Sequence, residues 1–558
     1  MAAAPAVRDD GRVVAPVVTS LGHAGLRIDA PHLTMLCDPW MSPGGAFLGS
    51  WFPFPDNSHL RRADVLNADW VAISHEHLDH LDLDLLRELP ERVRIVVPRY
   101  PAPEMVQRIR AAGIRNVLIE LRSWERLALN DRGDWVTVIQ ELSPMCHDSA
   151  ILVVAAGHAI LHTNDARLSV AQLRRAAQEA GRPLDLMGVQ MSGASWHPIC
   201  YEYPPEVVAS ISADKRMGKF KAVSRLLRAA PPRTVMPYAG PPCFLDPVLV
   251  HHNERMAPPG IFPDTAQAAA FLRSRLPGMA VEPLMPGDRI DVGTGVVDRD
   301  PRWDGFSLAG GAHDGTLDGT LDAGLPDPLR DYLREYAERR AHEVAAVYAA
   351  NPDPPRGSGL SQRFADHFTE LGTLSDYFLH RIGMTVRFVV TGDDGGTWDV
   401  ELGPSECRVD LTGSTSHPGY QITVEARWLD AVLMGRVRWE DLFLSLRISA
   451  WRDPDRYNDY LVGLLKHADA GALAAVESFE AERNPNDSVV LTDGDHGWQV
   501  SRYCPHAGED LTHGAVIRDG VLRCLGHNFD FDLATGECLN ARCDPLVTRP
   551  LGSPAVVP

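Results

Sequence analysis

Trp70-Val71-Ala72-Ile73-Ser74 is a short apolar run that reads as a buried strand. Ala150 to Ala155 and His158 to Leu161 read as strands as well. Asp300 to Pro326 is rich in Gly and Asp and predicts a linker or long loop. Asp327 to Ala349 carries helical periodicity with abundant charge, and Asn351-Pro352-Asp353-Pro354-Pro355 ends it. Met384 to Val390 and Trp398 to Leu402 predict a hairpin around Gly392-Asp393-Asp394-Gly395-Gly396. With Gln421 to Ala426, a helix-like stretch at Trp428 to Met434, and Trp439 to Leu446, it makes a small α+β module. That module reads either as a substrate or docking platform or as packing alone. Near the C-terminus, Ser488 to Leu491 and Trp498 to Tyr503 predict strands around an Asp493-Gly494 turn, and Val521 to Arg523 predicts another. There is no internal repeat. The expected organisation is three domains, 1–300, 301–470 and 471–558.

At 558 residues the chain is too long for one core. Hydrophobic content of 45% with 23% charged residues is that of a soluble globular protein. A net charge of -20 argues against nucleic acid as a partner, while leaving room for a local basic pocket. No window approaches twenty consecutive apolar residues, and Met1 to Pro5 lacks a basic segment leading into an apolar run. A cytoplasmic protein without membrane association is expected. Nine cysteines are too few and too scattered for a disulfide scaffold. Seven of them, Cys37, Cys146, Cys200, Cys243, Cys407, Cys538 and Cys543, show no metal spacing and read as plain thiols.

The other two are different. Cys504-Pro505-His506, seventeen residues, and then Cys524-Leu525-Gly526-His527 have the ligand spacing of a Rieske [2Fe-2S] centre. In such a centre two thiolates hold one iron and two imidazoles the other. Tetrahedral zinc also takes two Cys and two His, but zinc pairs usually come as Cys-x-x-Cys followed by a separate His pair. Phe529 to Asp532, running into Leu533-Ala534-Thr535-Gly536-Glu537-Cys538, resembles the segment after the second ligand pair in oxygenase-type Rieske proteins. The extra cysteines of the respiratory type are missing: Gly526 and Ala507-Gly508-Glu509 stand there. The resemblance is to the lower-potential oxygenase and ferredoxin type.

The strand at Trp70 empties into His75-Glu76-His77-Leu78-Asp79-His80. His-x-His-x-Asp-His at a strand end resembles the metal signature of the metallo-β-lactamase fold. His75 and His77 can converge on one metal, while Asp79 and His80 lie one turn on and face a second. The fold resemblance implies His147 as a further ligand and Asp165 as a bridging carboxylate. It implies a last ligand after the strand end at Gly240, at His251 or His252, with Asp246 also near, and makes Asp38 a supporting residue. His158, His162 and His197 are left as strand-end or loop residues.

Together the two motifs resemble the CMP-N-acetylneuraminate hydroxylase family. Gly44-Gly45-Ala46-Phe47, Ile73-Ser74-His75, Gly193-Ala194-Ser195, Tyr238-Ala239-Gly240, Trp439-Glu440-Asp441-Leu442 and Arg452-Asp453-Pro454-Asp455 carry the resemblance over roughly 15–465. That family places its Rieske domain first, whereas here it comes last, so the substrate does not carry over. The expected fold class is α+β multidomain: an αββα metallo-β-lactamase fold, a small α+β middle domain and an all-β Rieske domain. The expected function is an O2-dependent non-haem iron monooxygenase, with one or two iron ions in the first domain and zinc as the alternative metal. An external ferredoxin or flavoprotein reductase feeds the cluster of Cys504, His506, Cys524 and His527. The catalytic centre formed by His75, His77, Asp79, His80, His147 and Asp165 then hydroxylates a polar, nucleotide-sugar-like or amino-sugar-like substrate or oxidises its amine, in a chain that can act as a homo-oligomer. Three alternatives compete: a lactonase- or phosphodiesterase-type zinc hydrolase with a regulatory Rieske domain, a flavodiiron-like reductase, and a plain electron carrier.

Overall fold

The computed structural model describes residues 14–142, 144–192, 196–238, 240–306, 308, 324–404, 407–482, 486–493, 496–506, 509–525 and 529–551. Gly193-Ala194-Ser195, Ala239, Gly494, Ala507-Gly508, Gly526 and His527 therefore lie outside the described residues, as do most of Asp300 to Pro326. The chain forms two compact units. One comprises 1–141, 147–198 and 203–350, the other 142–146, 199–202 and 351–558.

The first unit stacks two sheets between layers of helix. In one sheet Val17–Gly22, Gly25–Ala30 and Leu33–Cys37 form an antiparallel meander, and Leu33–Cys37 pairs parallel with Trp70–Ala72. In the other, Ser149–Ala155 sits antiparallel between Trp135–Gln140 and His158–His162, and the parallel strands Leu186–Gln190 and Thr234–Tyr238 continue it.

Ser149–Ala155 is buried along its whole length because both of its faces are covered. Successive side chains point to opposite faces. Ile151, Val153 and Ala155 enter the core shared with Val18, Ile28 and Met35 of the facing sheet. Ala150, Leu152 and Val154 pack instead with Leu173 of Val170–Ala180, Phe220 of Pro205–Ala229 and Phe271 of Thr265–Arg275. On the far side Val65, Leu86, Met105 and Ile109 cover the first sheet. The layers are αββα, as the His-x-His-x-Asp-His resemblance implies. Asp327–Ala350 is a single helix, and it belongs to this unit.

In the second unit, Met384–Thr391 pairs with Gly396–Leu402 and Tyr420–Glu425 in a five-stranded sheet. Phe364 and Phe368 of the helix Leu360–Leu371 pack on Phe388. Two three-stranded sheets follow: Ser488–Asp493, His496–Ser501 and Thr548–Leu551, then Ala515–Arg518, Val521–Cys524 and Asp530–Asp532. The sequence reading did not separate out the helices Leu360–Leu371, Asp376–Ile382, Asp459–His467 and Ala470–Glu482. Among the described residues no helix is long and apolar enough to cross a membrane.

Candidate metal centres

Parallel pairing of Cys37 with Ala72 sets the residues that follow each strand side by side. Asp38 is fully buried there. Its Oδ1 accepts from the Ser74 backbone N–H at 2.7 Å, and its Oδ2 accepts from Ser74 Oγ at 2.6 Å and from His80 Nδ1 at 2.9 Å. These bonds determine two tautomers. Ser74 has one hydroxyl hydrogen, and the carboxylate takes it, so at the 2.8 Å contact His75 Nδ1–H donates to Ser74 Oγ. In the neutral form of each ring, the form that binds a metal, the lone pair then lies at Nε2. This is how carboxylates behind a metal site orient its imidazoles.

The lone pairs converge with carboxylates. His75, His80 and Asp165 form one group of donor atoms within 4.8 Å of one another; His75, His77 and Asp148 form a second; His23, Asp79 and His80 a third. His75 Nε2 lies 2.9 Å from His77 Nδ1, and His23 Nε2 lies 2.9 Å from Asp79 Oδ2. His80 Nε2 and Asp79 Oδ1 are buried without a hydrogen-bond partner. Unpaired buried polar atoms are costly, and a cation would satisfy both.

The electrostatics agree. Burial, helped by His80 and His77, pulls His75 down to about 4 and keeps it neutral, as a ligand must be. Burial opposes ionisation of Asp165 and Asp79, but His80 holds both below the usual carboxylate range. Burial likewise opposes protonation of His80, and Asp79 and Asp165 overcome it and raise the imidazole well above its ordinary value. That concentration of negative charge is what a divalent ion would neutralise.

Asp165 is placed by contacts distant in sequence. It follows Asn164, whose backbone N–H donates to Tyr238 Oη at 2.8 Å, and Gln190 Nε2 donates to Asp165 Oδ1. Tyr238 in turn needs Gly188: a Cβ there would fall 1.9 Å from the tyrosine ring, where nothing can yield cheaply. Gly188→Ala is expected to destabilise the protein by about 1–3 kcal/mol and to weaken metal retention with it. Calorimetric melting with metal analysis checks this; an unchanged melt and full metal would mean that Tyr238 does not anchor the turn.

Several expected ligands fall outside these three groups. His147 stacks on Tyr100, rings 4.7 Å apart, with Nδ1 3.3 Å from Glu76 Oε1; it belongs to none of the three groups, and its neighbour Asp148 does. His251 and His252 sit in the 3-10 turn Val250–Met256. His252 lies against Phe244 and accepts from Arg255 Nε at 3.2 Å, while burial, with His251 and Arg255, lowers it to about 3. Asp246 Oδ2 accepts from Tyr348 Oη at 2.9 Å. These three too lie outside the groups, and beside Asp79 stands His23 instead. His23 occupies the turn between the first two strands with φ 50, a conformation costly for a residue with a Cβ. In the sequence it stands in Leu21-Gly22-His23-Ala24-Gly25, outside the His-x-His-x-Asp-His motif.

In the second unit, Cys504 and Cys524 each open a loop closed in the same way. Cys504 N–H donates to Glu509 O at 2.9 Å, and Cys524 N–H to Phe529 O at 2.8 Å. Both thiols are buried among Leu511, Leu522 and Phe531. His506 Nε2 lies 2.6 Å from Asp459 Oδ2, and the His506 ring rests 4.1 Å from Phe529. His506 Nδ1 is buried. Two buried thiols and one imidazole are three of the four ligands expected of a Rieske centre, His527 being the fourth.

Residues 34–202 match the β-lactamase superfamily domain, and residues 464–550 match the Rieske [2Fe-2S] domain. The chain joins a metallo-β-lactamase domain to a C-terminal Rieske domain. The Rieske domain implies a [2Fe-2S] cluster. Along nearly its full length the chain is similar to Rieske 2Fe-2S iron-sulfur proteins of Mycolicibacterium smegmatis and Mycobacterium tuberculosis. Identity is 29% in both, over 538 and 534 residues, covering 94% of this chain and 98% of each relative. It is also 26% identical over 238 residues to cytidine monophosphate-N-acetylneuraminic acid hydroxylase of Cricetulus griseus, covering 40% of this chain and 39% of that enzyme. The span is shorter than the 15–465 expected from scattered motifs, since short matching stretches do not make a continuous alignment.

Proposed function

We propose that the chain is an O2-dependent non-haem iron oxygenase whose Rieske domain delivers single electrons to the buried donor cluster of the metallo-β-lactamase domain. One observation carries the reading. A cluster with His75, His80, Asp79 and Asp165 shaped for a cation shares a chain with a Rieske domain. A redox-inert zinc would leave the electron carrier without a task, and the partial similarity to a hydroxylase supports iron. Iron, when bound, supplies dioxygen activation and accepts the electrons. His75, His77, His80, Asp79, Asp165 and Asp148, with His23, are the residues proposed to hold it. Asp38 keeps the His75 and His80 lone pairs aimed inward, Gln190 holds Asp165, and Asp459 holds His506 at the cluster. An external ferredoxin or flavoprotein reductase is the proposed electron source.

Metal analysis and electron paramagnetic resonance of anaerobically purified full-length protein test the reading. Iron beyond the two atoms of the cluster, with reductant-dependent O2 consumption, is the expected result. Zinc alone in the first domain, with turnover independent of O2 and reductant, would convert the reading to a hydrolase.

A further inference from the structure

The turn from Ala46 to Trp51 carries costs that reversing the chain does not require. Phe47, Leu48 and Gly49 follow one another with φ 50, 60 and 63, a left-handed turn. That conformation crowds Cβ against the following carbonyl oxygen, so residues other than glycine seldom adopt it even singly. Glycine at 47 and 48 would remove the cost. The chain instead places glycine on either side, where close approach demands it. A Cβ on Gly45 would fall 2.3 Å from Trp51 O, and one on Gly49 2.7 Å from Val347 Cγ2. Ser50 Oγ and Trp51 Nε1, in the same turn, are also buried without a hydrogen-bond partner.

The surroundings hold the turn closed. Ser50 N–H donates to Ala46 O at 3.0 Å, and Ala46 N–H donates to Trp51 O at 2.8 Å. Phe52 and Cys243 exchange backbone bonds at 2.9 and 3.1 Å. The Trp51 ring lies 4.9 Å from that of Phe47, and Phe244 lies 6.5 Å from Trp51. Strained backbone persists only where packing over-determines it, and it gathers where a side chain must be held in one place. The side chain held here is Phe47, which is 1% exposed. Its ring stands 74° to that of His77, with the centroids 6.2 Å apart. His77 Nδ1 lies 2.9 Å from His75 Nε2, in the donor group that also contains Asp148.

We infer that the left-handed turn is a clamp, in which Phe47 is a positioning residue that fixes the His77 ring within the His75, His77 and Asp148 group. The inference rests on the buried donor cluster being the metal centre. A phenyl ring offers no ligand atom and no proton; it supplies a fixed wall. An imidazole already held by packing loses little rotational freedom when a metal binds, so the clamp raises retention of the ion at that group.

Cobalt(II) alone is the probe. Its electron paramagnetic resonance reports ligand geometry, and the oxidised [2Fe-2S] cluster of the full-length protein is diamagnetic. Phe47→Leu keeps an apolar side chain and removes the ring. It is expected to move the cobalt signal toward that of His77→Ala and to weaken cobalt retention against a chelator about tenfold. Phe47→Tyr keeps the ring and is expected to retain both signal and retention. Phe47→Met replaces Phe47→Leu if that variant does not fold. A lowered melting temperature with the wild-type cobalt signal and retention would overturn the clamp and leave Phe47 as core packing. Phe47→Tyr departing as far as Phe47→Leu would overturn it as well. If the clamp fails in protein that retains iron and consumes O2 with reductant, the oxygenase reading survives. Turnover without O2 or reductant, with the cobalt signal still dependent on Phe47, removes the oxygenase reading and leaves the clamp.

Discussion

Cys524→Ser is expected to abolish the Rieske resonance of the reduced protein and to cut reductant-driven O2 consumption by about a hundredfold or more, equivalent to about 2.7 kcal/mol or more in the activation barrier. Cys524 is fully buried, and its backbone N–H closes the second cluster loop on Phe529 O. Serine keeps that bond and nearly the same volume, so the fold should stand. Its hydroxyl stays protonated at neutral pH and cannot replace a thiolate, so one iron loses a ligand. Iron held by the first domain should be unchanged, which separates loss of the electron supply from loss of the reaction centre. If O2 consumption persists in a variant without the resonance, the Rieske domain is not the donor. Mixing this variant with His80→Ala, which removes a proposed ligand of the other centre, then reports where electrons travel: recovered turnover means transfer between subunits, and none means transfer within a chain.

Asp38→Asn is the second large effect. The carboxylate is acceptor-only and receives three hydrogen bonds: Ser74 N–H on one oxygen, Ser74 Oγ and His80 Nδ1 on the other. An amide offers one acceptor and one donor. With its NH2 toward His80 it faces the imidazole N–H; flipped, it faces the Ser74 N–H. Neither orientation satisfies all three, and the tautomers of His75 and His80 are no longer enforced. Metal affinity is expected to fall about 10–100-fold, read by competition with a chelator. Backbone strain does not explain the effect, because Asp38 has φ 43 and asparagine adopts that region readily. A variant with wild-type metal affinity would show that Asp38 merely fills space. Burial penalises the charged form of Asp38, yet His162 and His80 hold the carboxylate far below its ordinary value, so it stays ionised across the physiological range.

Much of this protein is legible along the chain because the relevant groups are close in sequence. His75, His77, Asp79 and His80 reach one cluster within six residues, and Cys504 and Cys524 each need only a short loop to sit at a ligand position. The hairpin at Met384 is legible for the same reason, as alternation and a Gly-rich turn are local properties. Prediction was weakest where a residue's role depends on what folds against it. The His147 ring packs on Tyr100, His252 on Phe244 and Arg255, and Asp246 bonds to Tyr348, contacts that no spacing along the chain shows.

The sequence by itself determined the two chemistries, an iron–sulfur motif and a cation-binding motif, because ligand type and short spacing constrain both. Only the tertiary structure brings further carboxylates and imidazoles up to the second motif. Pairing of Leu33–Cys37 with Trp70–Ala72 delivers Asp38 to Ser74 and His80, the first hairpin turn delivers His23 to Asp79, and Gly188 leaves room for the tyrosine that seats the Asp165 turn. Those partners are tens of residues apart. Sheet register and close packing bring them together, and neither is written in any local pattern.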